Sequence, residues 1–423
     1  MELCHAVLTA PFPSPELNHW TLANGVHCVA AEMPDAPLTC LDLWCRAGSA
    51  SEQSGEEGMA HFLEHMVFKG SKRLGAGAFD RAIEALGGSS NAATGFDDVH
   101  FHVLIPPEQA PLALDLLLDL VLNPALAEEA FLLERDVVLE EIAQYEDQPD
   151  EQVLQQTLSR ACPHHAYGRP ILGRPDSLQA MTPASMRRFH RERYRGDNCC
   201  LAISGRGTAG LKACIQASPL ADLPSRMTTR PQTSLQLTPG RHQIEVDRLE
   251  SARLLMLWRG ASAADQNWVV GADLVTTLMG EGRRSRLVAR LREQLQIAET
   301  VDMDLSSLEQ GSLVTLEVSC DPSRLEAVES CVQDQLRLTE PFSTVELDRG
   351  RQLVGKGLRY SLESSAQVAS MAASHRLWGR QQTLLEPLDH LDGWSGERIQ
   401  AELISQLQPE KACTLIAVPG GEG

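Results

Sequence analysis

The chain of 423 residues is 43% hydrophobic and carries 57 acidic against 37 basic side chains, a formal net charge of −20. That length suggests two domains with apolar content enough for sizeable cores. The charge argues against nucleic acid as a partner, and no unbroken apolar run reaches the length of a membrane span.

The opening stretch, MELCHAVLTAPFPSPELNHW, lacks the basic start and apolar core of a secretory signal and the arginines of a transit peptide. The eleven cysteines are odd in number, scattered, and never spaced Cys-x-x-Cys. They read as buried thiols of a reducing compartment. A bacterial cytoplasmic protein is the expectation.

The next informative segment is His61-Phe62-Leu63-Glu64-His65. A helix turns about 100° per residue, so His61 and His65 are offset by about 40° and one turn in height. Both imidazoles can reach one metal ion. Glu64 stands about 60° from His61 on the other side, still on that face. There a carboxylate can take a proton from water without being a ligand. His-x-x-Glu-His is the inverted form of a zinc-protease string. The bare string also fits a helix that carries two histidines and an acid by chance.

Residues 88–104 read as two extended stretches, a small-residue run and then an alternating one. Small residues on an exposed edge leave the backbone free to pair with an extended peptide, which singles out Asn91, Ala92 and Ala93. His100 and His102 occupy alternate positions of the second stretch, a weaker source for a third metal ligand. Residues 112–122, LALDLLLDLVL, read as an amphipathic core helix.

Residues 131–146, FLLERDVVLEEIAQYE, read as a helix with apolar residues at Leu133, Val137, Val138, Ile142 and Tyr145. Glu134 and Glu141 are seven apart, within about 20° of each other on the helix. Glu141 shares the apolar stripe, where a carboxylate is costly unless paired or metal-bound. Glu140 points about 100° away and reads as solvated. Residues 219–240, rich in Pro, Ser and Thr, read as the interdomain linker, leaving domains at 1–218 and 241–423. The element order indicates α+β halves built on mostly antiparallel sheets. The second half has no zinc string.

These residues resemble the M16 metallopeptidase family in its short, two-domain branch, which includes the mitochondrial processing peptidase. The likeness runs through Gly48-Ser49 with Glu52, then Gly58 to Gly70, Gly87-Gly88, Asn91-Ala92, Glu134 to Ile142, Gly168 to Gly173, and Tyr194 with Asn198. It implies two similar domains facing each other as a clamshell around a chamber. It also implies one zinc ion held by His61, His65 and Glu141, with Glu64 as general base and Glu134 as a second glutamate important for catalysis. Phe68 matches an aromatic beside the scissile bond, or is a plain core phenylalanine. Asp97, where relatives carry glutamate, would either favour a basic substrate side chain or be a solvated turn carboxylate.

The family's second domain often supplies an arginine and a tyrosine seven residues apart. Arg292 fits the first, but Glu299 stands at the second, expected on a surface helix or paired with an arginine. The resemblance therefore implies a zinc endopeptidase working as the zinc-bearing subunit of a heterodimer, its homologous partner lacking the zinc string. A homodimer is the alternative, and a non-catalytic scaffold subunit is another.

Overall fold

Alternation of apolar and polar residues builds the strands that matter most. Along Val99–Ile105 the side chains of Val99, Phe101, Val103 and Ile105 are buried while His100, His102 and Leu104 between them are only half-buried. Period-two patterning of this kind gives a strand two distinct faces. A computed structural model of the protein describes residues 14–225, 233–380 and 383–420.

The first sheet has six strands: β1 (Leu17–Thr21), β2 (His27–Glu32), β3 (Thr39–Cys45), β4 (Ser89–Thr94), β5 (Val99–Ile105) and β6 (Cys199–Gly205). Their order is β1-β2-β6-β3-β5-β4, which leaves β4 at an edge. The second sheet contains β7 (Gly240–Val246), β8 (Ala252–Arg259), β9 (Thr300–Ser306), β10 (Leu313–Cys320) and β11 (Cys413–Pro419), in the order β7-β11-β8-β10-β9. Without β1 the two orders superimpose strand for strand. Each last strand returns to lie parallel to the first and antiparallel to the second. The chain is thus a duplicated α+β unit, each copy a mostly antiparallel sheet flanked by helices. The repeat is barely visible in side chains because only pattern and topology are shared.

The longer helices of the first half are α1 (Met59–Val67), α2 (Ala78–Ala85), α3 (Ala110–Leu122), α4 (Glu128–Glu146), α5 (Pro149–Ala161) and α6 (Pro183–Arg193). Those of the second are α7 (Gln266–Gly280), α8 (Leu325–Arg337), α9 (Thr344–Ser361) and α10 (Ser365–Trp378). Helix α3 is buried on most sides rather than amphipathic. Even its Asp119 is buried, held by the Ser71 hydroxyl.

The halves exchange helices. Helix α10 lies on the first sheet, where Ala369, Ala372 and Ala373 meet Ala31, Cys40, Cys200 and Ala202. Helix α5 lies reciprocally on the second sheet, with Val153 against Leu255 and Leu415 and with Leu158 against Leu257. Small side chains on α10 let its backbone sit close to the sheet. Of the segment read as a linker, Pro219–Asp222 forms a short turn of 3-10 helix and residues 226–232 lie outside the described residues.

Candidate metal centre

Helices α1 and α4 are pinned together where the rings of Phe62 and Phe131 meet, 4.7 Å apart. Both rings are fully buried, and transfer out of water contributes on the order of 2–3 kcal/mol for each. One turn beyond Phe131, Glu134 reaches His65. Two turns further, Glu141 reaches both histidines. Its Oε2 lies 3.4 Å from His65 Nε2 and 3.7 Å from His61 Nε2.

The start of α1 is set by backbone contact. Gly58 has φ +94° and Gly173 has φ +85°, and each presses on the other's chain. A Cβ on Gly173 would stand 2.3 Å from Glu57 O, so only glycine fits there. Glu52 reaches from the preceding loop to cap the helix, accepting from Gly58 N at 3.1 Å and Ala60 N at 2.9 Å. It thereby satisfies first-turn donors that a helix otherwise leaves open.

The donor set fits zinc. One ligand atom from each of His61, His65 and Glu141 lies within 4.8 Å of the others. Two imidazoles and a carboxylate match a catalytic zinc site with a position left open. Burial, with a smaller push from His65, lowers the His61 pKa to about 4. The ring is therefore neutral near pH 7, the form a metal requires. His65 Nδ1 lies 2.9 Å from Glu134 Oε1, which leaves Nε2 for the metal. Lys69 Nζ lies 2.7 Å from Glu134 Oε2.

Glu134, expected beside Glu64 as a catalytic group, stands at hydrogen-bond distance from His65, where it can orient that ring. Outer partners of this kind are worth about 10- to 100-fold in metal affinity. Glu134→Gln should weaken zinc binding by about that factor, measured by competition with a chelating dye. Unchanged affinity would remove Glu134 from the metal's support.

Glu64 stands beside the donors and is not one of them. The Thr94 hydroxyl donates to its Oε2 at 2.6 Å. Burial raises the Glu64 pKa, and the Thr94 bond works against that rise. A cleft of about 980 Å³ opens here, lined by His61, Glu64 and Glu141, by Ala92, Ala93 and Thr94 of β4, and by the 170–176 loop.

Several expectations are corrected. Leu133, Val137 and Tyr145 are exposed at 65%, 49% and 40%, and α4 instead buries Phe131, Glu134, Val138 and Ile142. Phe68 packs against Phe79 and Phe101, 6.2 Å from each, and is not part of the cleft wall. Asp97 neither faces a substrate nor sits solvated in a turn. Its Oδ1 accepts from Tyr167 Oη at 2.7 Å and its Oδ2 from Glu309 N at 2.9 Å, tying the two halves together.

Asn91 lies on β4, where its own side chain accepts from Ala92 N. Arg292 bonds its neighbour Glu293, away from the cleft. Glu299 is on no helix and, among the described residues, forms no ion pair with an arginine. It precedes β9 and accepts from Ser251 Oγ at 2.7 Å. His100 and His102 lie on the sheet face opposite α1 and supply no ligand to this centre. Lys69 and Thr94 were given no role by the sequence, although Lys69 is one helical turn beyond His65.

A repeated two-sheet unit carrying a His-x-x-Glu-His helix completed by a distal glutamate defines the zinc-peptidase class of architecture. Comparison with known proteins agrees. Residues 28–175 match the family model described as insulinase (peptidase family M16), and residues 180–354 match the one described as the peptidase M16 inactive domain. The chain belongs to the M16 peptidase family. The second description accords with a second half that has no zinc string.

An uncharacterized zinc protease of Bacillus subtilis is 26% identical over 416 residues, covering 96% of this chain and 99% of the relative. One of Streptomyces coelicolor is 27% identical over 399 residues, covering 90% and 85%. The fold is shared with a solved protease from Helicobacter pylori at TM-score 0.89 and 22% identity, over 96% of this chain and 100% of that one. A solved peptidase M16 inactive domain from Pseudomonas fluorescens gives TM-score 0.86 at 19% identity, over 96% and 98%. No helix among the described residues is long and apolar enough to cross a membrane.

Proposed function

We propose that this chain is a zinc-dependent endopeptidase cleaving peptides or short unfolded segments, and that it is the zinc-bearing subunit of a heterodimer that encloses them in a chamber. The observation that carries the reading is the convergence of Glu141 on both histidines, with Glu64 and an edge strand at the same cleft.

Zinc bound by His61, His65 and Glu141 supplies Lewis acidity, activating water and polarising the scissile carbonyl. The chain's own groups do the rest. β4 is an edge strand whose Ala92 N–H is held by the adjoining Asn91 side chain, so an extended peptide can displace that local bond and add as a further strand across Ala92 and Ala93. A Glu64 carboxylate oxygen takes the proton from the attacking water and then delivers it to the leaving amine. Thr94 fixes that carboxylate's orientation. Removing a hydrogen bond to a charged group costs about 1.5–3 kcal/mol, or about 10- to 100-fold in rate. Thr94→Val should lower kcat by that factor with zinc content unchanged. An unaltered kcat would show that Glu64 is aimed by something else.

The heterodimer reading rests on the second half. Arg292 and Glu299 are engaged locally, and neither offers a donor at the cleft. The thiols among the described residues, most of them buried, fit a bacterial cytoplasm. The test is zinc analysis with digestion of a peptide library, with and without the product of a neighbouring homologous gene. Robust cleavage by the purified chain alone contradicts the heterodimer and favours a homodimer. Absence of chelator-sensitive cleavage in both cases leaves the scaffold reading standing.

A further inference from the structure

We propose that the chain holds a second divalent transition-metal site, built from Asp42, His100 and His102 on the face of the first sheet opposite α1. Strands β3 and β5 are antiparallel neighbours, with Asp42 paired to His102 and Trp44 to His100. Leu41, Leu43, Phe101 and Val103 join the core beneath α1, so the alternate residues Asp42, His100 and His102 project from the other face. One donor atom from each lies within 4.8 Å of the others, as is also true of His61, His65 and Glu141.

The geometry suits a cation. Ligands about 2.0–2.1 Å from a tetrahedral metal are about 3.3–3.4 Å from each other. Asp42 Oδ1 and His100 Nδ1 already stand 3.0 Å apart. A cation replacing the proton between them needs only a slight opening. The rings are held in place, with His100 stacked on Trp44 at 4.5 Å and on His102 at 5.7 Å.

Asp42 is buried at 1% exposure, and a buried carboxylate demands a positive partner. Burial lowers the His102 pKa, with the Asp42 charge working the other way. Burial works against charge on His100, but its bond to Asp42 and the carboxylates of Asp42, Asp98 and Glu64 raise its pKa overall, so a metal bound there displaces a proton. His100 keeps 20% of its side chain exposed, which leaves an entry path.

Two imidazoles and one carboxylate favour zinc, cobalt or nickel over magnesium or calcium. The role is structural. β5 carries β4, with His100 opposite Ala93 and His102 opposite Asn91, so a metal joining β3 to β5 stiffens the support of the peptide-binding edge.

The test is metal stoichiometry after dialysis against buffered Zn²⁺. Wild type should hold about two ions per chain, one for each donor set. The His61→Ala/His65→Ala double variant should keep about one, and so should His102→Ala. One ion in wild type, none in the double variant, or two in His102→Ala would each overturn the site. As a second measurement, Co²⁺ loaded into the double variant should show visible ligand-field bands that Asp42→Asn abolishes. Bands unchanged by Asp42→Asn place the cobalt elsewhere and refute the proposal.

Discussion

Glu64→Gln should retain zinc and lose nearly all turnover, with kcat falling by about a hundred- to ten-thousand-fold, the range of a general acid–base contribution. The change is nearly isosteric. A glutamine carbonyl still accepts from Thr94 Oγ1, so the helix, the cleft and the hydrogen bond survive. What disappears is the ability to take a proton from water and return it to the amine. Glu64 is also outside the donor set, so metal content should match wild type. The comparison requires the complete enzyme, with any partner subunit present. It pairs single-turnover peptide cleavage with zinc analysis. Normal turnover would sink the general-base role, and loss of zinc would mean that the side chain supports the metal instead.

The sequence made the metal centre readable because its geometry is local. Four residues of helix place His61 and His65 on one face, and seven residues place Glu134 and Glu141 on another. The alternation of Val99 to Ile105 likewise announces a two-faced strand. Long-range packing is what the sequence hides. Periodicity along residues 131–146 reveals apolar stripes but not which stripe meets the core, so Leu133, Val137 and Tyr145 read as core positions although they lie outside. The same limit applies to Asp97. Its neighbours in sequence describe a turn, whereas its hydrogen-bond partners lie 70 and 212 residues away. Nothing in the composition of residues 149–161 or 365–378 says that each helix crosses to the other half's sheet. That exchange is a property of the duplicated architecture.

Glu141→Ala against Glu140→Ala tests the centre most sharply, because the two glutamates are adjacent and chemically identical. Only geometry separates them. Glu141 points at His61 and His65 from 3.7 and 3.4 Å, while Glu140 is exposed on the next face of α4. Removing a direct ligand should exceed the 10- to 100-fold loss typical of an outer partner, so zinc affinity at this centre should fall more than about 100-fold. Zinc content should drop by one ion per chain, and peptide cleavage should vanish with it. Glu140→Ala removes a solvated charge and should stay within about 0.5 kcal/mol of wild type in stability. Its zinc content and kcat/KM should be unchanged. If instead both variants retained metal, the third ligand would have to come from another group, and the pairing of α1 with α4 would lose its chemical purpose. If both lost metal, the helix rather than the carboxylate would be responsible, and circular dichroism of the two variants would show the shared loss of structure.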